Sequence, residues 1–261
     1  MRRLFVGIGL LLGLALGQGL ELGAFGPGPT LYARLHGALA LEGAEVRFAL
    51  APYAGLRASG VAVEDLRLGV EEGSYALELG RFPLTPGEGR LFPYTWNRPG
   101  PALAPKGVWG GHLTWYGEAL RLRAGYAWER GAFLEVALPE GRAFLSREAV
   151  GAGGAFRLGG WVVYGDAFWT PGGGLGTLGA TGFWDGVLWT VELAYPGKAG
   201  VEARLLGEGW ELGLALVRDG DLGARLVAGL EGARGWIFLR ELGVAWGVGM
   251  EIGRASCRER V

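Results

Sequence analysis

LRLRAGYAWERGAFLEVAL, residues 120–138, carries the pattern on which the fold turns. Leu120, Leu122, Ala124, Tyr126 and Trp128 fall on one side of a strict alternation, with Arg121 and Arg123 on the other. Glu129-Arg130-Gly131 interrupts it, and Leu134, Val136 and Leu138 resume it with Glu135 opposite. Successive side chains of an extended chain point to opposite faces. The stretch therefore reads as a β-hairpin with one apolar and one polar face.

The same period runs along most of the chain. YALELG (75–80) sets Tyr75, Leu77 and Leu79 against Ala76 and Glu78. VLWTVELAY (187–195) sets Val187, Trp189, Val191, Leu193 and Tyr195 against Thr190 and Glu192. GVEARLLGEGWELGLALV (200–217) forms another hairpin, with Glu202, Arg204 and Glu211 on its polar side. Turn residues recur every 8–12 positions or so, as expected of an all-β chain. About 14–16 strands are expected between Leu31 and Met250, with LELGAF (20–25) as a weak extra one. Most span eight to eleven residues, close to the roughly 9–11 that a tilted transmembrane β-strand needs.

Composition narrows the classes. Glycine is abundant at 52 of 261 residues, yet has no three-residue period, which excludes collagen. Half the residues are hydrophobic, which excludes a disordered chain. The 25 bases are balanced by 26 acids, so no basic nucleic-acid surface is expected. After the N-terminus, no apolar run is long and charge-free enough for a membrane-spanning helix.

A soluble sandwich and a membrane barrel both alternate, and three features favour the barrel. The polar face is rich in Gly and Ala, unlike a solvated surface. Trp109, Trp128, Trp169, Trp184, Trp210 and Trp236 lie beside expected turns, where interfacial aromatic girdles belong. No helical segment exists to cover the apolar face, which water would not tolerate and lipid requires. The expected fold is an antiparallel up-and-down transmembrane β-barrel.

The chain opens with MRRLFVGIGLLLGLALGQG, in which Arg2 and Arg3 precede an apolar run from Leu4 to Leu16. This is the pattern of a signal peptide over residues 1–17, with cleavage after Gly17 or as late as Gly19, and export follows. The other end, IGRASCRERV (252–261), matches the translation of a common sequencing adapter, and residues 251–261 are read as an artefactual tail. The natural barrel is then expected to continue past Met250, and Cys257 leaves no disulfide chemistry to consider.

Residues 83–106 break the alternation. They hold six of the twelve prolines, which exclude a central strand. They also carry Arg90, Tyr94, Trp96, Asn97 and Arg98, a set suited to gripping a polar ligand. Two readings stand side by side: a loop that acts on the lumen, and a stiff external loop with no partner.

LELGRFPLTPGEGRLFPYTWNRP (77–99) resembles a strand-then-loop segment of some bacterial outer-membrane β-barrels of porin-like type. The likeness rests on Gly80-Arg81, Gly87-Glu88-Gly89 and Asn97. Pro86 stands where Trp is usual, and Arg98 separates Asn97 from Pro99. The resemblance implies a channel for small polar solutes, in which such a loop folds over or into the pore. It also implies outer-membrane lipid and the barrel assembly machinery as partners.

On the alternation, the lumen face carries Arg34, Arg47, Arg67, Arg121, Arg123, Arg157, Arg204 and Arg225. Glu45, Glu78, Glu135, Glu192, Glu202, Glu211 and Glu231 stand against them. Such near balance favours a ladder of cross-strand ion pairs over the single-sign rings of strongly selective channels. Arg121 and Arg123 form the best local basic patch. A barrel without an open pore is the alternative, and a barrel hydrolase is the weaker one. Only His36 and His112 could serve the latter; no serine sits in a G-x-S-x-G elbow, and no residue cluster has metal-ligand or cofactor spacing.

Overall fold

The computed structural model describes residues 19–26, 30–55, 59–99, 105–230, 233–240 and 243–252. Residues 1–17, expected to be a signal peptide, and residues 253–261 of the expected 251–261 tail lie outside these residues, while Glu251 and Ile252 end the last strand.

The wall opens with β1 (Gly19–Gly26), β2 (Thr30–Leu41), β3 (Ala44–Gly55), β4 (Ser59–Glu72) and β5 (Tyr75–Phe82). A long segment follows, whose only strands among the described residues are β6 (Arg98–Pro99) and β7 (Pro105–Lys106), paired with each other. The wall resumes with β8 (Val108–Tyr116), β9 (Arg121–Ala127), β10 (Gly131–Leu138), β11 (Gly141–Ser146), β12 (Val150–Leu158) and β13 (Trp161–Thr170). It is completed by β14 (Gly173–Trp184), β15 (Val187–Tyr195), β16 (Lys198–Gly207), β17 (Trp210–Asp219), β18 (Asp221–Leu230), β19 (Ala233–Arg240) and β20 (Gly243–Ile252).

Apart from β6 and β7, these strands form one 18-stranded sheet in sequence order, each antiparallel to its neighbours. β1 pairs with β2 on one side and with β20 on the other, Leu20 lying opposite Ile252. The sheet is thus a closed barrel, and closure satisfies the backbone groups that an open edge would leave unpaired in lipid. The count of 18 replaces the expected 14–16. LELGAF is a full strand, and turns as short as Asp185-Gly186 and Glu208-Gly209 fit more crossings into the same length.

Alternation places the apolar side outward. Leu77, Leu113, Leu134, Leu193 and Leu214 are all exposed on the outer wall, with no other layer over them. Trp128 and Trp169 mark one end of that wall, and Trp184 and Trp210 the other. Stacked Trp109 and Trp128 rings, 6.1 Å apart, belong to the first belt, as interfacial girdles do. Both ends of the described barrel, at Gly19 and Ile252, lie opposite the end from which residues 83–107 emerge.

The principal hydrophobic core lies inside the barrel. Phe82, Leu84, Trp96, Val108, Phe133, Phe144 and Phe168 are buried together between the long segment and the inner wall. One irregularity shapes the opposite wall. The register of β3 with β4 shifts at Ala49/Leu50, so that Glu64 bulges between Val63 and Asp65. That bulge turns both Glu64 and Asp65 toward the lumen, where Arg34 and Arg67 meet them.

Candidate functional site: a loop seated inside the barrel

Residues 83–97 of the long segment fold into the lumen. They form a compact hairpin without regular strand pairing. Trp96 N donates to Leu84 O at 3.0 Å and Gly87 N to Tyr94 O at 3.0 Å. Asn97 ties the base, its Oδ1 accepting from Leu84 N at 2.8 Å and its Nδ2 donating to Thr85 Oγ1 at 2.9 Å. Prolines 83, 86 and 93 suit this arrangement, since they stiffen a chain that makes few ladder bonds.

The tip of the hairpin is held by two wall carboxylates. Glu192 on β15 accepts from the backbone N–H groups of Arg90 (2.7 Å), Leu91 (3.2 Å) and Phe92 (2.7 Å). Tyr164 on β13 adds its hydroxyl to the same carboxylate at 2.8 Å. Asp166, also on β13, accepts from Glu88 N at 2.7 Å and Gly89 N at 3.1 Å. Five consecutive amides are therefore captured by two acids. Glu192 is fully buried, which is tolerable for a charge only because its oxygens are satisfied in this way. Arg142 on β11 completes the clamp from the carbonyl side, donating to Thr85 O at 3.1 Å and Gly87 O at 2.9 Å while pairing with Glu88.

Packing supports the polar clamp. Trp96 meets Phe144 edge-on at 5.3 Å and Phe133 at 6.2 Å, while Tyr94 stacks on Phe168 at 4.4 Å. Inward glycines give these rings room. A Cβ on Gly151 would lie 2.3 Å from the Phe168 ring, and one on Gly179 would lie 2.5 Å from that of Tyr164.

The loop residues expected to grip a ligand thus divide. Tyr94, Trp96 and Asn97 are spent on holding the loop itself. Arg90 alone among the described side chains of that set is exposed, its guanidinium lying 5.0 Å from the centroid of the Tyr164 ring. Arg98 enters β6, and its side chain lies outside the described residues.

The wall residues form local ion clusters. Arg34 meets Glu64 at 2.6 Å, and Arg47 pairs with Glu45. Arg67 contacts both Asp65 and Glu78, and His112 also reaches Glu78. Arg121 and Arg123 converge on Glu135, so the expected basic patch has an acid beneath it. Arg204 and Arg225 converge on Glu202 in the same way. Arg157 is exposed and makes no ion pair among the described residues. Glu192 belongs to the loop clamp and not to the ladder of wall pairs.

His112 has the partners of a catalytic relay, with Thr114 Oγ1 at 3.3 Å from Nδ1 and Glu78 at 3.2 Å from Nε2. Thr114, however, is only 3% exposed and His112 packs edge-on against Phe82 at 4.6 Å. A nucleophile so covered cannot meet a substrate.

Sequence reasoning missed Arg142, Tyr164 and Asp166, and it missed the inward phenylalanines. A signal for them existed. Phe133 shares parity with Glu135, Phe144 with Arg142, and Phe168 with Asp166. An aromatic residue on the polar side of an alternating strand needs an apolar cover from within.

No family model matches the chain, and no curated protein matches it. Among solved structures, it is similar to variants of the Rhodopseudomonas (Rh.) blastica porin. A five-substitution mutant aligns at 11% identity and a TM-score of 0.48, over 90% of this chain and 98% of that one. A two-substitution mutant aligns over the same shares at 12% identity and a TM-score of 0.49.

Proposed function

We propose that the protein is an outer-membrane channel of porin-like type, exported through its N-terminal signal segment, that passes small polar solutes. The observation that carries this reading is the loop clamped inside a closed barrel whose remaining inner wall is ionic. A barrel serving only as a wall has no need of five backbone amides fixed to buried carboxylates in its lumen. Such a clamp sets the width of a passage, and the partly exposed ion clusters of β2–β4 and β16–β18 suit the water beside it.

Orientation follows from strand parity. With an even number of strands, both ends of the barrel lie on the side from which the chain arrives, and the loop descends from the outer end. Lipid covers the apolar outer wall, and the assembly machinery of the membrane inserts it.

The test is electrical. Purified protein reconstituted in planar bilayers gives discrete conductance steps if the reading is right. A folded barrel that inserts without conducting would leave the wall-only alternative standing.

A further inference from the structure

The channel reading above is the basis for a statement about which solutes the lumen favours. By count the inner charges nearly cancel, so no ring of one sign selects ions. Depth decides what a solute touches. Glu135 is 1% exposed, whereas Arg121 above it is 45% exposed. Glu202 is 6% exposed, beneath Arg204 at 36% and Arg225 at 39%. Each cluster sets two cations over one anion and keeps a net positive charge. A guanidinium has five N–H donors, and Arg121, Arg204 and Arg225 each bond their acid through Nη2, which leaves donors facing the lumen. Arg157 and Arg90 add two exposed guanidiniums with no ion pair among the described residues. The acids that would oppose them on β13 and β15, Asp166 and Glu192, are covered by the loop.

Glu211 on β17 also faces the lumen, half-buried and with a partner of its own. Asp65 and Glu78 share Arg67, so the β4–β5 wall is not positive. Glu42, Glu118, Glu140, Asp185 and Glu208 stand exposed near the turns at the end opposite the loop. Charges on exposed turns act in high dielectric and are screened within about 8–10 Å at physiological salt. Arg204 and Arg225 lie within β16 and β18, against low-dielectric wall, where a charge acts more strongly, whereas Arg121 and Arg157 stand at strand ends beside those turns.

We infer that the lumen prefers small anions, and oxyanions such as phosphate or a carboxylate in particular, because planar guanidinium forks match their geometry. The sector from β16 to β18 carries the preference, and Arg204 and Arg225 determine it.

The experiment measures reversal potential across a potassium chloride gradient in planar bilayers, then repeats it with potassium phosphate. Wild-type protein is expected to reverse on the anion side of zero with either salt, and R204Q/R225Q to shift toward the potassium side. Removing two arginines leaves Glu202 unpaired, so R157Q provides a second variant that orphans no acid and is expected to shift the same way by less. Wild-type channels that conduct but reverse at zero or on the potassium side overturn this inference and leave the channel reading intact. Variants that conduct and reverse where wild type does also overturn it. Assembled protein that never conducts overturns the channel reading itself.

Discussion

From β8 to β15 much of the inner wall of the barrel is covered by a loop, whereas along most of β16 to β18 and across β2 to β4 it carries ion pairs without that cover. Both sectors follow the same alternation, broken once by the bulge in β4. The loop-facing sector presents Phe133, Phe144, Phe168 and Tyr164, with two carboxylates aimed at backbone amides. The water-facing sector presents arginine and glutamate in contact with each other. Backbone pattern therefore fixes which side chains point inward, and the cover determines what they must be. Acids change role with that cover: Glu192 is an anchor because the chain lies over it, and Glu202 is a counter-ion because arginines do.

The largest test of this contrast removes the clamp. In D166A/E192A five loop amides lose their acceptors, and each buried group left unsatisfied costs about 1–3 kcal/mol. The loop is expected to leave its seat while the barrel stays closed. Protease cleavage within residues 84–97 would appear, and the conductance step would rise. If cleavage and conductance both stay at wild-type levels, the two acids do not hold the loop.

An intermediate effect is expected from Trp96→Ala. Trp96 is buried between two phenylalanines, and emptying such a site costs roughly 3–5 kcal/mol. Since the carboxylate clamp remains, the loop should loosen rather than leave. Hydrogen exchange at the amides of residues 88–92 should accelerate, with strand amides of β16–β18 unchanged.

The smallest effect belongs to the wet sector. Arg47→Gln breaks an exposed pair with Glu45, and such pairs contribute about 0–1 kcal/mol. Thermal unfolding should be unaltered within error, and loop exchange should match wild type. A loss of loop protection in this variant would show that the two sectors are coupled and erase the distinction between them.

Much of this architecture was legible in the sequence because a strand's alternation is local. Residues 120–138 alone establish a hairpin and its apolar face, and repetition of that pattern implies the barrel. The wall clusters were partly legible for the same reason, since Arg121, Arg123 and Glu135 fall at the right parity within one hairpin. The clamp was not. Glu192 meets the loop from 100 residues away, and no local pattern distinguishes an acid that accepts from amides from one that pairs with arginine. Tyr94 and Trp96 misled for a related reason. Their chemistry suits a ligand, but their surroundings in the fold turn it inward onto the chain's own phenylalanines.

The order of the chain gives the loop's seat a further meaning. Residues 88–92 come early, while the carboxylates that receive them belong to strands added 77 to 102 residues later. A growing sheet that has reached only β12 offers the loop Arg142, Phe133 and Phe144 but neither of the acids that receive its amides. The seat becomes available when β13 and β15 take their places, with five strands still to follow in sequence. Seating the loop is thus a report on construction. A barrel in which β13 and β15 are misplaced lacks the acceptors for five loop amides.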